Sequence, residues 1–402
     1  MKPHPLVHAA VFFSLAPAIP ATAQPRYQVT AIGHLPGSFA TNPLAMNNLG
    51  EVVGWCQGPL SQLRPFRFIP GTGITQVPLP PGYTEGFATD ITDNGIIVGR
   101  ASNGFDSAGR ETPKVLWRLR DGVHTIIGQP AGCSSPVADA VNTSGEVVGL
   151  DCTIGPFYYS DAAGLIALDP LGIREAIDIN NAGVVTGRSH AGPAFRWSFG
   201  GPLELIGTLP GDDYAIGLAI NESAAVTGLS ANAITGIDPT KAFRFTDATG
   251  VEGLPSAVAT RSAGVGINES GHIVGNLGSS TSPERQAWVY TPARGVEILH
   301  ADFVGDANFY NYNGASDIND RGQIASRAGQ FEPFDPAPGV ILTPVPTCTA
   351  DFDGRDGVTV QDIFDFLIAY FANDPRADIN GVAGVTVQDI FDFLSAYFAG
   401  CP

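Results

Sequence analysis

The chain has 402 residues, of which 49 are Gly and 32 are Pro, while only 15% are charged and 44% are hydrophobic. Low charge with high hydrophobicity excludes a disordered chain, and abundant turn-forming residues favour an all-β protein. The net charge of −18 argues against nucleic acid as a partner, because an acidic surface repels phosphate backbones.

Residues 1–23 have the features of a secretory signal peptide. Lys2 gives a positive start, residues 7–15 are mainly apolar, and small residues at 21–23 form a cleavage site. The apolar stretch is too short to cross a bilayer and no later run reaches the roughly 20 apolar residues needed, so we predict no membrane span. The mature protein is expected to begin near Gln24 and to be secreted, either extracellular or associated with the cell surface.

A motif of the form Ile-Asn-x-x-Gly-x-Val-x-Gly recurs along most of the chain. Its seven copies begin at Met46, Ile91, Val141, Ile179, Ile220, Ile267 and Ile318. The spacings are 45, 50, 38, 41, 47 and 51 residues, and such a period is typical of radial or stacked repeats. The Asn and Gly positions predict a tight turn, because Asn hydrogen bonds its own backbone and Gly accepts positive φ.

Each copy is predicted to contain about four short strands, the content of one propeller blade. Runs of β-branched residues flank the turn, an aromatic strand such as residues 195–197 follows, and a further strand such as residues 203–206 comes next. The seventh copy ends in a strand at 340–342 and lacks a fourth strand, whereas residues 27–32 supply a spare one.

We therefore predict an all-β propeller of seven blades over residues 24–345, in which the N-terminal strand completes the last blade and closes the ring. An open β-solenoid is the alternative. It would need a regular short coil and capped ends, neither of which is seen in the sequence.

The Ile-Asn-x-x-Gly-x-Val-x-Gly and Ala-Phe-x-Trp segments resemble the HAF repeat family of bacterial extracellular proteins. The resemblance covers residues 27–345 and weakens at Ala224, where Gly is expected, and at Ser326. It implies export and a repeat architecture, but no particular chemistry.

Five cysteines remain after the signal peptide, and export permits disulfide bonds. Cys348 and Cys401 bracket the C-terminal segment, and Cys133 and Cys152 flank a predicted hairpin. We predict these two pairs and leave Cys56 free. The alternative for Cys133 and Cys152 is that both are buried small residues.

Residues 346–402 are predicted to form a separate, small all-α domain that contains an internal repeat. Residues 358–367 return as residues 385–394, 27 positions later. Each copy starts with an acidic loop and continues into a helix with aromatic residues at helical spacing. The sequence therefore predicts paired units, each a loop followed by a helix.

Capping residues and aromatic residues define the two predicted helices. Thr359 and Thr386 can cap them, with Asp362 and Asp389 three residues later in the first turn. Aromatic residues of the first helix are expected to pack in a core between the helices more often than to face a partner: Phe364, Phe366, Tyr370 and Phe371.

This segment resembles a dockerin, specifically the GC type, which has a Cys near each end. Dockerin loops are similar to the first half of an EF-hand, so the resemblance implies two Ca²⁺ sites. The implied ligands of the first loop are Asp351, Asp353, the Gly357 carbonyl and Asp362. Those of the second loop are Asp378, Asn380, the Gly384 carbonyl and Asp389.

Both loops depart from the pattern. Position five is Arg355 or Val382, which donate no side-chain oxygen, and position six is Asp356 or Ala383 where Gly is usual. The missing ligand is expected to weaken Ca²⁺ binding. The alternative is that the aspartates only cap the helices and solvate the loops.

The sequence contains no His-Glu-x-x-His or Gly-x-Ser-x-Gly motif, no phosphate-binding loop and no dinucleotide-binding motif. We therefore assign no catalytic residues and favour a non-enzymatic role. The favoured hypothesis is a secreted binding or scaffold protein. Its dockerin-like domain would anchor it to a cohesin-like or cell-surface protein, and its propeller would offer loops to a glycan or protein ligand.

Two alternatives stay open. One is a secreted hydrolase or lyase that acts on polysaccharide and is docked into an assembly, since propellers can host catalysis at the central channel. The other is a structural envelope protein whose C-terminal domain serves as a sorting tag.

Overall fold

The computed structural model describes residues 27–104, 112–129, 135–232, 240–254, 261–278, 286–292, 294–299, 311–329, 338–344, 349–352, 358–374, 377–379 and 384–400, with only the backbone at 311–313 and 328–329. Contacts between residues divide the chain into two compact units, Arg26–Val345 and a second unit that contains Pro346–Pro402. The signal peptide predicted over residues 1–23 lies outside the described residues.

The first unit is a propeller of seven antiparallel four-stranded sheets, which confirms the predicted fold class. Its first strand is β1 (Tyr27–Gly33). Blade 1 contains β2 (Ala40–Met46), β3 (Val52–Gln57), β4 (Leu63–Ile69) and β5 (Gly73–Gln76). Blade 2 contains β6 (Glu85–Ile91), β7 (Ile97–Ser102), β8 (Val115–Arg120) and β9 (Val123–Gly128). Blade 3 contains β10 (Val137–Val141), β11 (Val147–Asp151), β12 (Gly155–Ser160) and β13 (Gly164–Ala167).

The remaining blades repeat this arrangement. Blade 4 contains β14 (Ile173–Ile179), β15 (Val184–Ser189), β16 (Ala194–Ser198) and β17 (Glu204–Gly207). Blade 5 contains β18 (Tyr214–Ile220), β19 (Val226–Ala231), β20 (Lys241–Thr246) and β21 (Gly250–Gly253). Blade 6 contains β22 (Arg261–Ile267), β23 (Ile273–Gly278), β24 (Gln286–Thr291) and β25 (Gly295–Ile298). Blade 7 contains β26 (Asn311–Ile318), β27 (Ile324–Gly329) and β28 (Gly339–Pro344).

The N-terminal strand closes the ring. Strand β1 pairs antiparallel with β28, so the order in blade 7 is β1-β28-β27-β26. The first strand of each other blade contacts the first strands of both neighbours, and β26 contacts β2. These seven strands therefore surround a central channel. The predicted completion of the last blade by the N-terminal strand is confirmed.

The hydrophobic core of the propeller lies between the blades. It consists of seven clusters, each of which draws side chains from two adjacent blades. In the cluster between blades 1 and 2, for example, Val53 of β3 packs with Ile91 and the fully buried Trp117. An isolated blade would leave the apolar faces of its sheet in water. In the closed ring each face is buried against a neighbouring blade, and this burial stabilises the propeller.

The last Gly of the repeat motif is required by a β-bulge in the innermost strand. In blade 4, for example, the register of β14 and β15 shifts between Ala176 and Asp178. The bulge presses the Glu175 carbonyl against Gly187, where an added Cβ would overlap the carbonyl oxygen. Equivalent overlaps occur at Gly54, Gly99, Gly149, Gly228 and Gly275.

Ser326 takes this Gly position in blade 7, where the bulge is larger. The register of β26 and β27 shifts twice, between Tyr312 and Ala315 and again before Asp317. Gly314 lies within the first shift and has a φ of 120°. Its carbonyl accepts a 3.0 Å hydrogen bond from the Ser326 hydroxyl. The departure from the repeat is therefore compensated in the neighbouring strand.

Two short 3₁₀ turns, Pro59–Ser61 and Asp169–Leu171, complete the first unit. The second unit has two helices, α1 (Val360–Phe371) and α2 (Val387–Ala399). Among the described residues, no helix has the length and apolar character needed to cross a membrane.

Candidate functional site

The Asn of the repeat motif links six of the seven blades to the next blade around the mouth of the channel. The Asn180 side-chain oxygen accepts the backbone N–H of Val184 at 2.9 Å, and its side-chain nitrogen donates to the Asn221 carbonyl at 2.9 Å. The predicted turn is thus confirmed, and the second bond explains why the side chain is an amide. Aspartate could accept the first bond but could not donate the second.

This pattern continues around the ring with one interruption. Side-chain donors at 2.9 to 3.2 Å join six of the seven junctions, from residues Asn47, Asn142, Asn180, Asn221, Asn268 and Asn319. The seventh position is Thr92, whose hydroxyl accepts the Ile96 N–H at 2.9 Å. Thr92 preserves its own turn, but it has no amide to donate to blade 3.

A second ring uses the residue after each Asn. Its side-chain oxygen accepts the backbone N–H of the equivalent residue in the preceding blade, as in the 2.9 Å bond from Glu269 to Asp320. The bond from Asp320 to Asn48, also 2.9 Å, joins blade 7 to blade 1. At the junction of blades 2 and 3, Asn94 instead donates to the Thr143 carbonyl at 2.9 Å.

Three carboxyl groups that are largely but not fully buried bridge blades beside these rings. Asp178 accepts the backbone N–H groups of Ile179 and Ile220, each at 2.8 Å. Asp90 and Asp317 make the same pair of bonds, to blade 3 and to blade 1 respectively. This role was not predicted, because only blades 2, 4 and 7 carry an Asp two residues before the Asn position of the motif.

Burial disfavours the charged form of these groups. It raises the pKa of Asp178 to about 7, with the charge of Asp90 adding to the effect and the two N–H bonds opposing it. Burial likewise raises the pKa of Asp90 to about 6 and that of Asp317 to about 8. The three groups are therefore expected to gain or lose protons near neutral pH.

The mouth of the channel is a small acidic cavity of about 170 Å³. Its described lining includes four carboxylates from the outer ring (Asp93, Glu222, Glu269 and Asp320) and no basic residue. The cavity is smaller than typical sites for drug-sized ligands, which occupy roughly 300–1,000 Å³. It can hold a small group or a short side chain.

Aromatic residues of the second unit form a core between the two helices. Phe366 and Phe393, which occupy equivalent places in the two copies, stack with ring centroids 4.2 Å apart. Both are buried, and Tyr370 packs against them. The predicted core position is therefore confirmed for Phe366 and Tyr370.

The same prediction is wrong for Phe364 and Phe371, which are 55% and 80% exposed. They belong to a row of exposed apolar side chains on α1 that also includes Val360 and Ile368. Three residues at equivalent positions of α2 are exposed as well: Val387, Phe391 and Phe398. We call these two sets the α1 row and the α2 row.

Helical periodicity explains the error. Residues 360, 364, 368 and 371 share one side of a helix, and Phe366 lies on another. Aromatic residues on both sides cannot all face one partner helix, so one set stays in solvent.

Both helices begin with the predicted caps. Thr359 donates its backbone N–H to Asp362 at 2.8 Å and its hydroxyl at 3.0 Å. Thr386 makes the same bonds to Asp389 at 2.7 and 2.9 Å. Asp362 and Asp389 are fully buried. The aspartates therefore do cap the helices, whether or not they also bind a metal.

The predicted Ca²⁺ ligands are only partly covered by the structure. Asp351, Asp362, Asp378, Gly384 and Asp389 are described, whereas Asp353, Gly357 and Asn380 lie outside the described residues. Asp389 accepts the Ile379 N–H at 2.9 Å, which brings the end of the second loop back to its beginning beside Asp378. Among the described residues alone, no three potential ligands are grouped to hold a metal.

The donor set fits a hard cation such as Ca²⁺. The described members of the predicted set, which are carboxylates and the Gly384 carbonyl, are all oxygen ligands of the kind that Ca²⁺ prefers.

The structure describes two of the five cysteines, Cys56 and Cys152. Cys56 is free and buried, with its sulfur 3.3 Å from the Thr41 hydroxyl. Cys152 is in a disulfide bond. The pairings predicted for Cys152 with Cys133 and for Cys348 with Cys401 stay predictions, because Cys133, Cys348 and Cys401 lie outside the described residues.

Comparison with solved structures finds chains whose fold is similar to that of this protein. Oligogalacturonate lyase in complex with manganese matches with a TM-score of 0.50 and 12% identity, covering 81% of this chain and 95% of that one. Virginiamycin B lyase from Staphylococcus aureus matches with a TM-score of 0.49 and 12% identity, covering 80% of this chain and 100% of that one.

The similarity to the oligogalacturonate lyase concerns the fold alone, since the identity is low. No protein-family model matches the sequence, and no curated protein matches it.

Proposed function

We propose that this is a secreted binding or scaffold protein whose C-terminal unit binds an extracellular partner protein through the α1 and α2 rows. One observation carries the proposal: seven exposed apolar side chains lie at repeat-related positions of two short helices. Exposed apolar groups cost free energy in water, and a group of them marks a surface that a partner covers.

The partner we expect is a protein with an apolar surface edged by basic residues. Residues 346–402 contain nine Asp and no Glu, against two Arg and no Lys, so the unit is strongly acidic. Asp365 lies next to Phe364 in the sequence, and Asp392 lies next to Phe391. Acidic groups beside an apolar row favour a basic rim on the partner and speed its association.

The resemblance of this segment to a GC-type dockerin supports the same assignment and implies a cohesin-like or cell-surface protein as the partner. The resemblance of residues 27–345 to HAF repeats, together with the signal-like residues 1–23, supports an extracellular location. In this proposal the propeller is the scaffold that the C-terminal unit holds outside the cell.

Ca²⁺ belongs to this proposal as a structural metal. The two loops would hold it through Asp351, Asp353, the Gly357 carbonyl and Asp362, and through Asp378, Asn380, the Gly384 carbonyl and Asp389. The bound metal would stabilise the loops that lead into the helices. It would thereby fix the direction of both rows.

A capture experiment with variants tests the proposal. The full chain, a Phe364→Asp/Phe391→Asp double variant and a Phe199→Asp control are each immobilised and exposed to extracellular proteins of the source. Phe199 is a similarly exposed aromatic residue, 55% accessible, but it lies in the propeller. A captured protein is then purified and its affinity for each variant is measured by calorimetry.

The expected result is a partner whose affinity falls at least about 100-fold in the double variant and is unchanged in the control. Chelation of Ca²⁺ should weaken binding to the wild-type chain. A partner that binds the double variant equally well would rule out the two rows as the docking surface. Self-association that is lost in the double variant would show that a second copy covers the rows, and would overturn the proposed heterologous partner.

A further inference from the structure

The innermost strands place one ring of side chains in the channel below the mouth. The bulge residue of each blade occupies this ring: Leu44, Thr89, Asp139, Ile177, Leu218, Val265 and Ser316. All seven are partly exposed, although the residues before or after them are buried. Because these strands are innermost in their blades, the space that exposes the bulge residues is the channel.

Asp139 differs from the other polar members of this ring. The Ser316 hydroxyl donates to the Pro43 carbonyl at 2.8 Å, and the Thr89 hydroxyl donates to the Ala138 carbonyl. The Asp139 carboxyl has no hydrogen bond to any described residue, although it lies deep in the fold. Because Asp139 is partly exposed to the channel, its carboxyl is free to accept hydrogen bonds from a group that enters the channel.

The surroundings of Asp139 are acidic as well. Burial, together with the charges of Asp178 and Glu175 on blade 4, raises the pKa of Asp139 to about 8. Two arginines beside turns of the repeat motif are already paired: Arg67 with Glu51 at 2.8 Å and Arg118 with Asp161 at 2.7 Å. The described lining of the mouth contains no basic residue.

The acidic cavity at the mouth leads to this carboxyl. Asp139 precedes Val141, which lines the cavity, by two residues, or about 7 Å along the strand. A ligand that reaches Asp139 from solvent must therefore be narrow and several bonds long. The carboxylates of the outer ring would attract a positive charge on its way in.

We propose that the channel binds an alkylammonium group, such as the end of a lysine side chain or of a polyamine, through the Asp139 carboxylate. An ammonium group donates three hydrogen bonds and needs no preformed coordination sphere. A chelated metal would require several converging ligands, and no such group exists among the described residues. Apolar ring members such as Leu44, Ile177 and Leu218 suit the alkyl chain behind the charge.

Binding should be linked to a proton. Asp139 must ionise to pair with the ammonium group, so association releases a proton from Asp139 or from its neighbour Asp178. Affinity should therefore increase as pH rises through the raised pKa of Asp139, for as long as the amine stays protonated.

The test uses the full chain and three probes: putrescine, Nα-acetyl-lysinamide and the uncharged diol of the same length as putrescine. Calorimetry gives the affinity and the proton release at about pH 6.5 and about pH 9. The Asp139→Asn variant removes the charge without removing a hydrogen bond. Asp121→Asn is the matched control, because Asp121 lies on the exposed turn between β8 and β9.

We expect at least one amine to bind the wild-type chain and the Asp121→Asn variant equally, and to bind Asp139→Asn at least about tenfold more weakly. The diol should not bind, and the amine should bind more tightly at the higher pH. Preference between the two amines identifies the source of the ammonium group. Equal affinity in Asp139→Asn, or no amine binding at all, would overturn the proposal. So would Ca²⁺ binding that depends on Asp139 in the absence of amine binding.

Discussion

The propeller and the C-terminal helical unit are both built from repeats, but only the propeller closes on itself. Seven blades form a ring in which each hydrophobic cluster is shared by two neighbours. Two helical copies can stack Phe366 on Phe393, yet they leave the α1 and α2 rows in solvent. Repeat number therefore decides where a partner is needed. In the closed ring every blade packs against two neighbouring blades, whereas each helix of the open pair packs against one other helix.

The largest effect should come from Phe366 at the centre of the C-terminal unit. Phe366→Ala removes the stacked ring and should lower the free energy of unfolding of this unit by about 4 kcal/mol, enough to unfold a domain of this size. Hydrogen exchange of peptides from α1 and α2 measures the effect.

Phe364→Ala provides the matched comparison. This residue is a neighbouring aromatic on the same helix, but it is exposed, so its removal should change exchange rates little. Equal protection loss in both variants would show that the α1 row is packed against something, and the contrast between closed and open repeats would fail.

Closure of the ring depends on the bulge and Gly pair in each blade. Gly187→Ala places a Cβ against the Glu175 carbonyl and should destabilise the propeller by about 3 kcal/mol. Tryptophan fluorescence during urea unfolding reports on this unit alone, because all four Trp (55, 117, 197 and 288) lie in it.

Gly253→Ala serves as the control for Gly187. The added Cβ would meet only the Leu209 side chain at ordinary contact distance, and the change should be small. If Gly187→Ala were as mild as Gly253→Ala, strand spacing in the blade would be adjustable, and the requirement for Gly at this position would be disproved.

Much of this architecture follows from the sequence. Blade number, four strands per blade, closure by residues 27–32 and the helix caps were all predicted, because they depend on local turn chemistry and on periodicity. The cross-blade bonds of Asn180 and its equivalents were not, since a single copy shows only the bond to its own turn. The role of Asp139 was equally hidden: its bulge position becomes apparent only when two strands are paired.

The exposed rows were missed for a related reason. The spacing of Phe364, Phe366 and Phe371 shows that they lie on different sides of α1, but spacing alone does not show which side α2 covers. The internal repeat could have helped. Equivalent residues of two paired helices can meet on one face only, so either Phe366 and Phe393 or Phe364 and Phe391 would be buried, but not both pairs.

The next largest effect concerns the pH dependence of the stability of the propeller. Asp90, Asp139, Asp178 and Asp317 have pKa values raised by burial to between about 6 and about 8. Their folded pKa values exceed those of the unfolded chain, so their contribution is complete below the unfolded pKa of about 4 and is lost progressively as pH rises from there to about 8. The free energy of unfolding of the propeller should fall by on the order of 2 kcal/mol between about pH 5 and about pH 9.

Urea unfolding followed by tryptophan fluorescence at several pH values checks this expectation. Asp139→Asn should reduce the slope, because it removes one titrating group without removing a hydrogen bond. A stability that rises with pH over this range would mean that the N–H bonds to Asp90, Asp178 and Asp317 outweigh burial.

The smallest effect concerns the one turn of the ring that departs from Gly. Ala224 has φ of 57° at a position where the other six blades have Gly, and its carbonyl accepts a 3.3 Å hydrogen bond from Arg196. Ala224→Gly relieves the left-handed strain while keeping this backbone bond, but it also increases the freedom of the unfolded chain. The balance should raise the free energy of unfolding of the propeller by about 0.5 kcal/mol.

Ala225→Gly is the matched control, because Ala225 is buried and has no positive φ. It should destabilise the propeller through loss of the methyl group and gain of unfolded-state entropy. Opposite signs for two adjacent Ala→Gly changes would localise the strain to the turn itself. If both variants were destabilised alike, the ring would tolerate Ala224 without strain, and the Gly of the motif would be needed for something other than its φ angle.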